Sequence, residues 1–166
     1  ASRSAQNGQE HETLCDRLGL PREVASSLLD VFRRHVPAIW LHHDVVATLH
    51  ALHGAGWRTA VLTNGLPSVQ FRKVAALGLA SLVDDVIYAE EHAAGGKPAA
   101  GAFRPALGSL DLSARHCVCV GDDLVRDVRG ARGVGLRTTR IARPGVAAAA
   151  GEEADVVIER LSELPE

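Results

Sequence analysis

The segment that most constrains this chain is Cys119-Val120-Gly121-Asp122-Asp123-Leu124-Val125-Arg126-Asp127. A short apolar run, Val118 to Val120, ends in a glycine and a cluster of acids. Apolar residues from Leu124 onward recur at helical spacing and predict a helix. A strand that ends in acids and turns into a helix sets those acids at the carboxyl edge of a sheet, where open α/β sheets bind ligands. Two carboxylates ~4 Å apart repel by roughly 4 kcal/mol at an effective dielectric of about 20. A hard divalent cation relieves that repulsion, and Mg²⁺ is the usual occupant where phosphate is also bound. Asp122 is therefore the first candidate metal ligand, with a helix N-cap as its alternative role. Asp127 follows as an outer or shared ligand, or else an exposed helix acid. Asp123 either orients ligands or faces solvent.

Two further segments point to the same edge. Arg58 to Leu62 reads as a buried strand that stops at Thr63-Asn64-Gly65, after which a helix begins. A hydroxyl, an amide side chain and backbone N–H groups at a helix start form an anion site. A plain capping turn is the alternative. Gly95-Gly96-Lys97-Pro98 then places one lysine in a glycine-rich loop before another helix. There Lys97 either neutralises a phosphate or a developing anion, or is a solvated loop residue.

With 166 residues the chain is one domain, or one with a small appendage. A net charge of −2 with acids and bases interspersed leaves no electrostatic footprint for nucleic acid or a membrane surface. No apolar run approaches the ~20 residues of a membrane span. Ala1 to Glu10 is polar and is expected to be frayed. Cys117 and Cys119 alternate on one strand face as small buried residues, and reduced thiols without an export signal favour a cytoplasmic protein. His42, His43, His50 and His53 lack converging partners for a metal. Gln70 and Lys73 lie on the polar side of a helix, where they either line a site rim or, as expected, are solvated.

The periodicity predicts helices over His11 to Leu18, Pro21 to His35, Asp44 to Ala55, Pro67 to Leu77, Ala100 to Leu110 and Leu124 to Gly133. Strands are expected at Arg58 to Leu62, Val86 to Tyr88, Cys117 to Val120, Thr138 to Ile141 and Val156 to Ile158, with a loop at Arg143 to Gly151. Asp44 reads as an N-cap or first-turn residue. Strands alternating with helices argue an α/β fold with a parallel sheet and helices on both faces.

Val61-Leu62-Thr63-Asn64-Gly65, Lys97-Pro98 with Phe103, and Val120-Gly121-Asp122-Asp123 with Asp127 and Arg129-Gly130-Ala131 resemble motifs II, III and IV of the haloacid dehalogenase (HAD) superfamily. The ending Ala154 to Ile158 with Leu161 and Leu164 is similar to that family's last strand and helix. The resemblance implies a HAD Rossmann-like core over residues 37–166, preceded over 1–36 by a frayed start and the remnant of a helical cap. It implies a Mg²⁺-dependent phosphate monoester hydrolase acting through a phospho-aspartate on a small phosphorylated metabolite. Thr63, Asn64, Gly65 and Lys97 would hold the phosphate, Thr63 and Lys97 would assist the chemistry, and Asp122, Asp123 and Asp127 the metal. A metal-independent 2-haloacid dehalogenase and a non-catalytic HAD-like protein are the alternatives; the acid cluster argues against the first.

One part of the family pattern is missing. Motif I, a strand ending in Asp-x-Asp-x-Thr/Ser that carries the nucleophile, has no counterpart in residues 1–60. Asp44-Val45-Val46-Ala47-Thr48 has the outer spacing, but Val46 stands for the second Asp and no apolar strand precedes it. In the family that strand lies between those carrying motifs II and IV. The expectation is therefore a sheet with an empty central position, open to self-association, in the carboxyl-terminal part of a longer protein.

Overall fold

The strands draw on β-branched residues, which suit a pleated, half-buried surface. The structure, a computed structural model, describes residues 13–143 and 154–164. Residues 13–18 are helical, and α1 follows over Arg22–Arg34 after Pro21, which presets the backbone for a helix start. Helix α2 covers Val45–Gly54, β1 Ala60–Thr63, α3 Pro67–Ala76 with proline in its first turn, and β2 Asp85–Tyr88. Helix α4 covers Ala100–Leu110 and β3 Val118–Gly121. A π-helical turn over Leu124–Arg129 runs into the short helix α5, Gly130–Arg132. Strands β4, Arg137–Ile141, and β5, Val156–Ile158, complete the order. The predicted ends Ala1 to Glu10 and most of the Arg143 to Gly151 loop lie outside the described residues.

All pairings are parallel. Strand β1 pairs with β2 from Ala60↔Asp85 to Thr63↔Tyr88. Strand β3 pairs with β4 from Val118↔Arg137 to Gly121↔Arg140, and β4 with β5 from Thr139↔Val156 to Ile141↔Ile158. These are two separate sheets, β1-β2 and β3-β4-β5. Among the described residues β1 and β3 each keep one unpaired edge. Both carry their candidate site residues at the carboxyl end.

Helix α4 binds the two sheets together. Phe103 is 2% exposed and packs with Ala89, Ala102 and Ala131, while Leu62 of β1 and Cys119 of β3 lie against the same cluster. Burying such an aromatic side chain contributes on the order of 1.5–3 kcal/mol. A second cluster of Leu124, Val128 and Ala154 backs the three-stranded sheet. Helix α2 is apolar in sequence yet has no fully buried residue, so its inner face is only half covered. Helix α1 lies on α3, where Arg72 Nη1 donates to the Arg33 carbonyl.

Three expectations are refined or corrected here. The helix expected over Leu124 to Gly133 is wound as a π turn before it becomes α, because Asp123 and Asp127 bend its first turn around their own hydrogen bonds. Asp44 holds the N-cap position expected of it, its carbonyl accepting from Thr48 N at 3.1 Å, but its side chain makes no capping bond. Its carboxylate turns instead to Leu161 N at 2.7 Å and Arg143 Nη2 at 3.1 Å. Cys117 and Cys119 are half-buried rather than buried; the free thiol that is fully buried is Cys15.

Candidate active site

Strand β3 ends at Gly121 because a side chain there has no room. A Cβ built on Gly121 would lie 2.4 Å from Asp127 Cγ. Glycine thus lets the chain fold back so that the Asp127 carboxylate, 7% exposed, reaches under the strand end. Asp127 Oδ2 accepts from Asp123 N at 3.1 Å, and Oδ1 accepts from Lys97 Nζ at 2.6 Å. The second ammonium contact is the Leu62 carbonyl of β1, at 2.9 Å. With its side chain 14% exposed, Lys97 is no solvated loop lysine: one cation joins the end of the first sheet to the turn that follows the second. Nor is Asp127 an exposed helix acid.

Asp123 fills the capping role considered for Asp122. Its Oδ1 accepts from Val125 N at 3.0 Å and Arg126 N at 2.8 Å, and Arg126 Nη1 approaches Oδ2 at 3.7 Å. Asp122 itself is exposed at the strand tip and makes no hydrogen bond or ion pair with the described residues. The three acids therefore divide into one that caps, one that pairs with Lys97 and one that is open to solvent.

Across the gap, β1 delivers Thr63 and the 64–66 turn to the amino end of α3. Thr63 Oγ1 donates to Gln70 Oε1 at 3.0 Å. Gly65, at φ +117°, lies against the same Gln70 amide, whose Nε2 would be 2.6 Å from any Cβ there. Gln70 is thus a neighbour of the site, the rim placement its helix position offered rather than the solvated one. Asn64 turns its amide to the other side, onto the backbone of Lys97. Lys73 is half-buried and forms no side-chain hydrogen bond or ion pair with these groups among the described residues.

Beneath the site, burial pushes the Cys119 thiol up to about 11, with the neighbouring Asp127 adding to the rise and Lys97 opposing it. It remains a neutral thiol near pH 7 and a poor nucleophile.

Among the described residues no group of three or more His, Cys, Asp or Glu side chains converges as a metal site. Mg²⁺ binds through one or two carboxylates with waters and substrate phosphate filling an octahedron. Asp122 offers that open carboxylate, while Asp127 is bonded to Lys97 and to Asp123 N. The donors are hard oxygens of the right kind, and the set fits the ion as part of a larger shell.

The haloacid dehalogenase-like hydrolase family matches residues 11–135, and the chain belongs to that family. A glyceraldehyde 3-phosphate phosphatase of Methanocaldococcus jannaschii is 31% identical over 121 residues, 73% of this chain and 53% of that protein. A phosphoserine phosphatase of Thermus thermophilus is 34% identical over 132 residues, 80% of this chain and 52% of that protein. The chain thus spans about half the length of these curated relatives. The crystal structure of a 2-haloacid dehalogenase from Pseudomonas syringae superposes with a TM-score of 0.68 at 28% identity, covering 97% of this chain and 69% of that one. The α/β core with parallel strands and helices is that of the family, as the motifs implied.

Proposed function

We propose that this chain forms the phosphate-gripping and metal-binding part of a HAD-type phosphate monoester hydrolase. The observation that supports it most is the Lys97 ammonium, held between Leu62 O and Asp127 Oδ1 at the shared carboxyl end of two open sheets. An ammonium has three N–H donors. Two are committed, and the third is left for a phosphoryl oxygen. The backbone N–H groups of the 64–66 turn and the Thr63 hydroxyl complete the grip at the start of α3, where the helix dipole favours an anion. Thr63 must turn from Gln70 to donate to the phosphate. Such groups act mainly by positioning and by offsetting charge.

Asp122, backed by Asp127, would hold Mg²⁺, which supplies charge neutralisation on the phosphate when bound. We place the nucleophilic carboxylate on a strand between β1 and β3, each of which keeps an unpaired edge among the described residues. Residues before about 37 serve as the base of a helical cap over the core. The substrate is a small phosphorylated metabolite, in keeping with the phosphatases among the relatives.

The test joins an apolar strand ending in Asp-x-Asp to the amino-terminal side of the chain. The extended protein should hydrolyse p-nitrophenyl phosphate with Mg²⁺, be monomeric and melt higher. The 166-residue chain should be inactive and self-associate through its open edges. In the extended protein Asp122→Asn should weaken Mg²⁺ at least about tenfold by calorimetry while helix content is unchanged. Turnover by the unextended chain, abolished in Asp44→Asn, would overturn the proposal.

A further inference from the structure

Asn64 stands in the 64–66 turn, yet its side chain is spent elsewhere. Oδ1 accepts from Lys97 N at 2.8 Å. Nδ2 donates to Lys97 O at 2.9 Å and, at 3.5 Å, to Gly95 O. An amide group has two N–H donors. Both are used, so none is left for an anion unless the 95–97 loop is released.

The pairing resembles a rung of a sheet: one side-chain amide satisfies both the N–H and the C=O of a single residue. Gly96 makes it feasible. Its φ is +64°, and a Cβ there would sit 2.5 Å from Asn64 Oδ1. The loop is therefore fastened to the end of β1 at two points. Asn64 takes the backbone of residue 97, and Leu62 O takes its ammonium at 2.9 Å. The two fastenings lie on either side of Thr63.

We propose that Asn64 is a positioning residue for Lys97: its amide fixes the backbone of residue 97 so that the ammonium is delivered to Leu62 O and Asp127, and any anion at this turn is met by main-chain N–H groups rather than by the Asn64 side chain. The inference gives a use to the site proposed above and rests on that reading only for its purpose; the fastening itself needs neither phosphate nor turnover.

The chain has two lysines, Lys73 and Lys97, so each experiment carries its own reference. The folded wild-type chain is labelled with trace acetic anhydride at fixed pH, and the two acetylated peptides are quantified by mass spectrometry. Wild-type Lys97 should react more slowly than Lys73. Asn64→Ala should raise the Lys97:Lys73 ratio about fivefold, the scale set by losing a net hydrogen bond. Asn64→Asp keeps an acceptor for Lys97 N–H but loses both donors, and should give an intermediate ratio. Gly96→Ala should raise the ratio as Asn64→Ala does, since its Cβ displaces the amide. Should Asn64→Ala fail to fold, the other two variants carry the test. A Lys97 that is as reactive as Lys73 in the wild type, or one whose protection survives the folded variants, overturns the proposal. A protected Lys97 in an extended protein that binds no phosphate would sink the functional reading and leave this one standing.

Discussion

A single missing side chain lets the charge pair at the centre of the site exist. Gly121 clears the space into which Asp127 folds, and Asp127 in turn holds Lys97. A methyl group at residue 121 must push the carboxylate aside, and overpacking of this kind costs typically 1–3 kcal/mol. Gly121→Ala should therefore lower stability by about 2 kcal/mol in urea denaturation. Asp127→Ala should cost more, about 3–5 kcal/mol, because it leaves a buried ammonium without its counter-charge. In the double variant the Gly121 effect should shrink but persist, since Cγ and Oδ2 are gone while the residue 127 Cβ, 2.5 Å from the added methyl, remains. Simple additivity would show that the collision with the carboxylate is not what makes glycine necessary. The acids and Lys97 were legible in the sequence as residue types in a plausible order. Which acid caps, which pairs and which stays open was not. That division depends on a π turn and on a lysine 30 positions away, and spacing alone carries neither.

Strands β4 and β5 are short, and their register is pinned at one end by a carboxylate. Asp155 accepts from Thr138 N at 2.7 Å, Thr138 Oγ1 at 2.9 Å and Arg132 Nη2 at 2.9 Å. The Arg132 bond, followed by the two from Thr138, holds its carboxyl down to about 2. An unfolded Asp titrates near 3.9. A depressed pKa stabilises the fold fully above the unfolded value, and the gain is lost as pH falls through the folded one. The urea midpoint of the wild type should thus fall between about pH 4 and pH 2, in part through this group. Asp155→Asn should lower the midpoint at pH 7 and flatten that part of the profile; a profile of unchanged slope would remove Asp155 from the account. Both strands were expected from the sequence, β5 as a short apolar run and β4 without one. The tie between them was not, because Asp155 reads as an ordinary acid at a strand start and Thr138 as an ordinary strand threonine.

At the scale of the whole molecule, the order of strands and helices follows from hydrophobic periodicity and punctuation, and the position of the gap from the absent Asp-x-Asp strand. What periodicity could not show is how the two sheets stay together across it. Phe103 does so from below and Lys97 from the carboxyl edge. Asp44 adds a third tie of a different kind. Burial alone would raise its pKa, but the Leu161 N–H and the Arg143 guanidinium outweigh that and hold it below the usual range. The tie joins positions 117 residues apart. Closing a loop of that length costs about 4 kcal/mol of chain entropy, so the contact has no local reward and belongs to the end of folding. In rate terms, Asp44→Asn should speed unfolding and leave refolding nearly unchanged in a chevron measurement, whereas a slowed refolding limb would place Asp44 in the nucleus. The buried acid before α2 is therefore a clasp: the chain meets it last when folding and parts with it first when it opens.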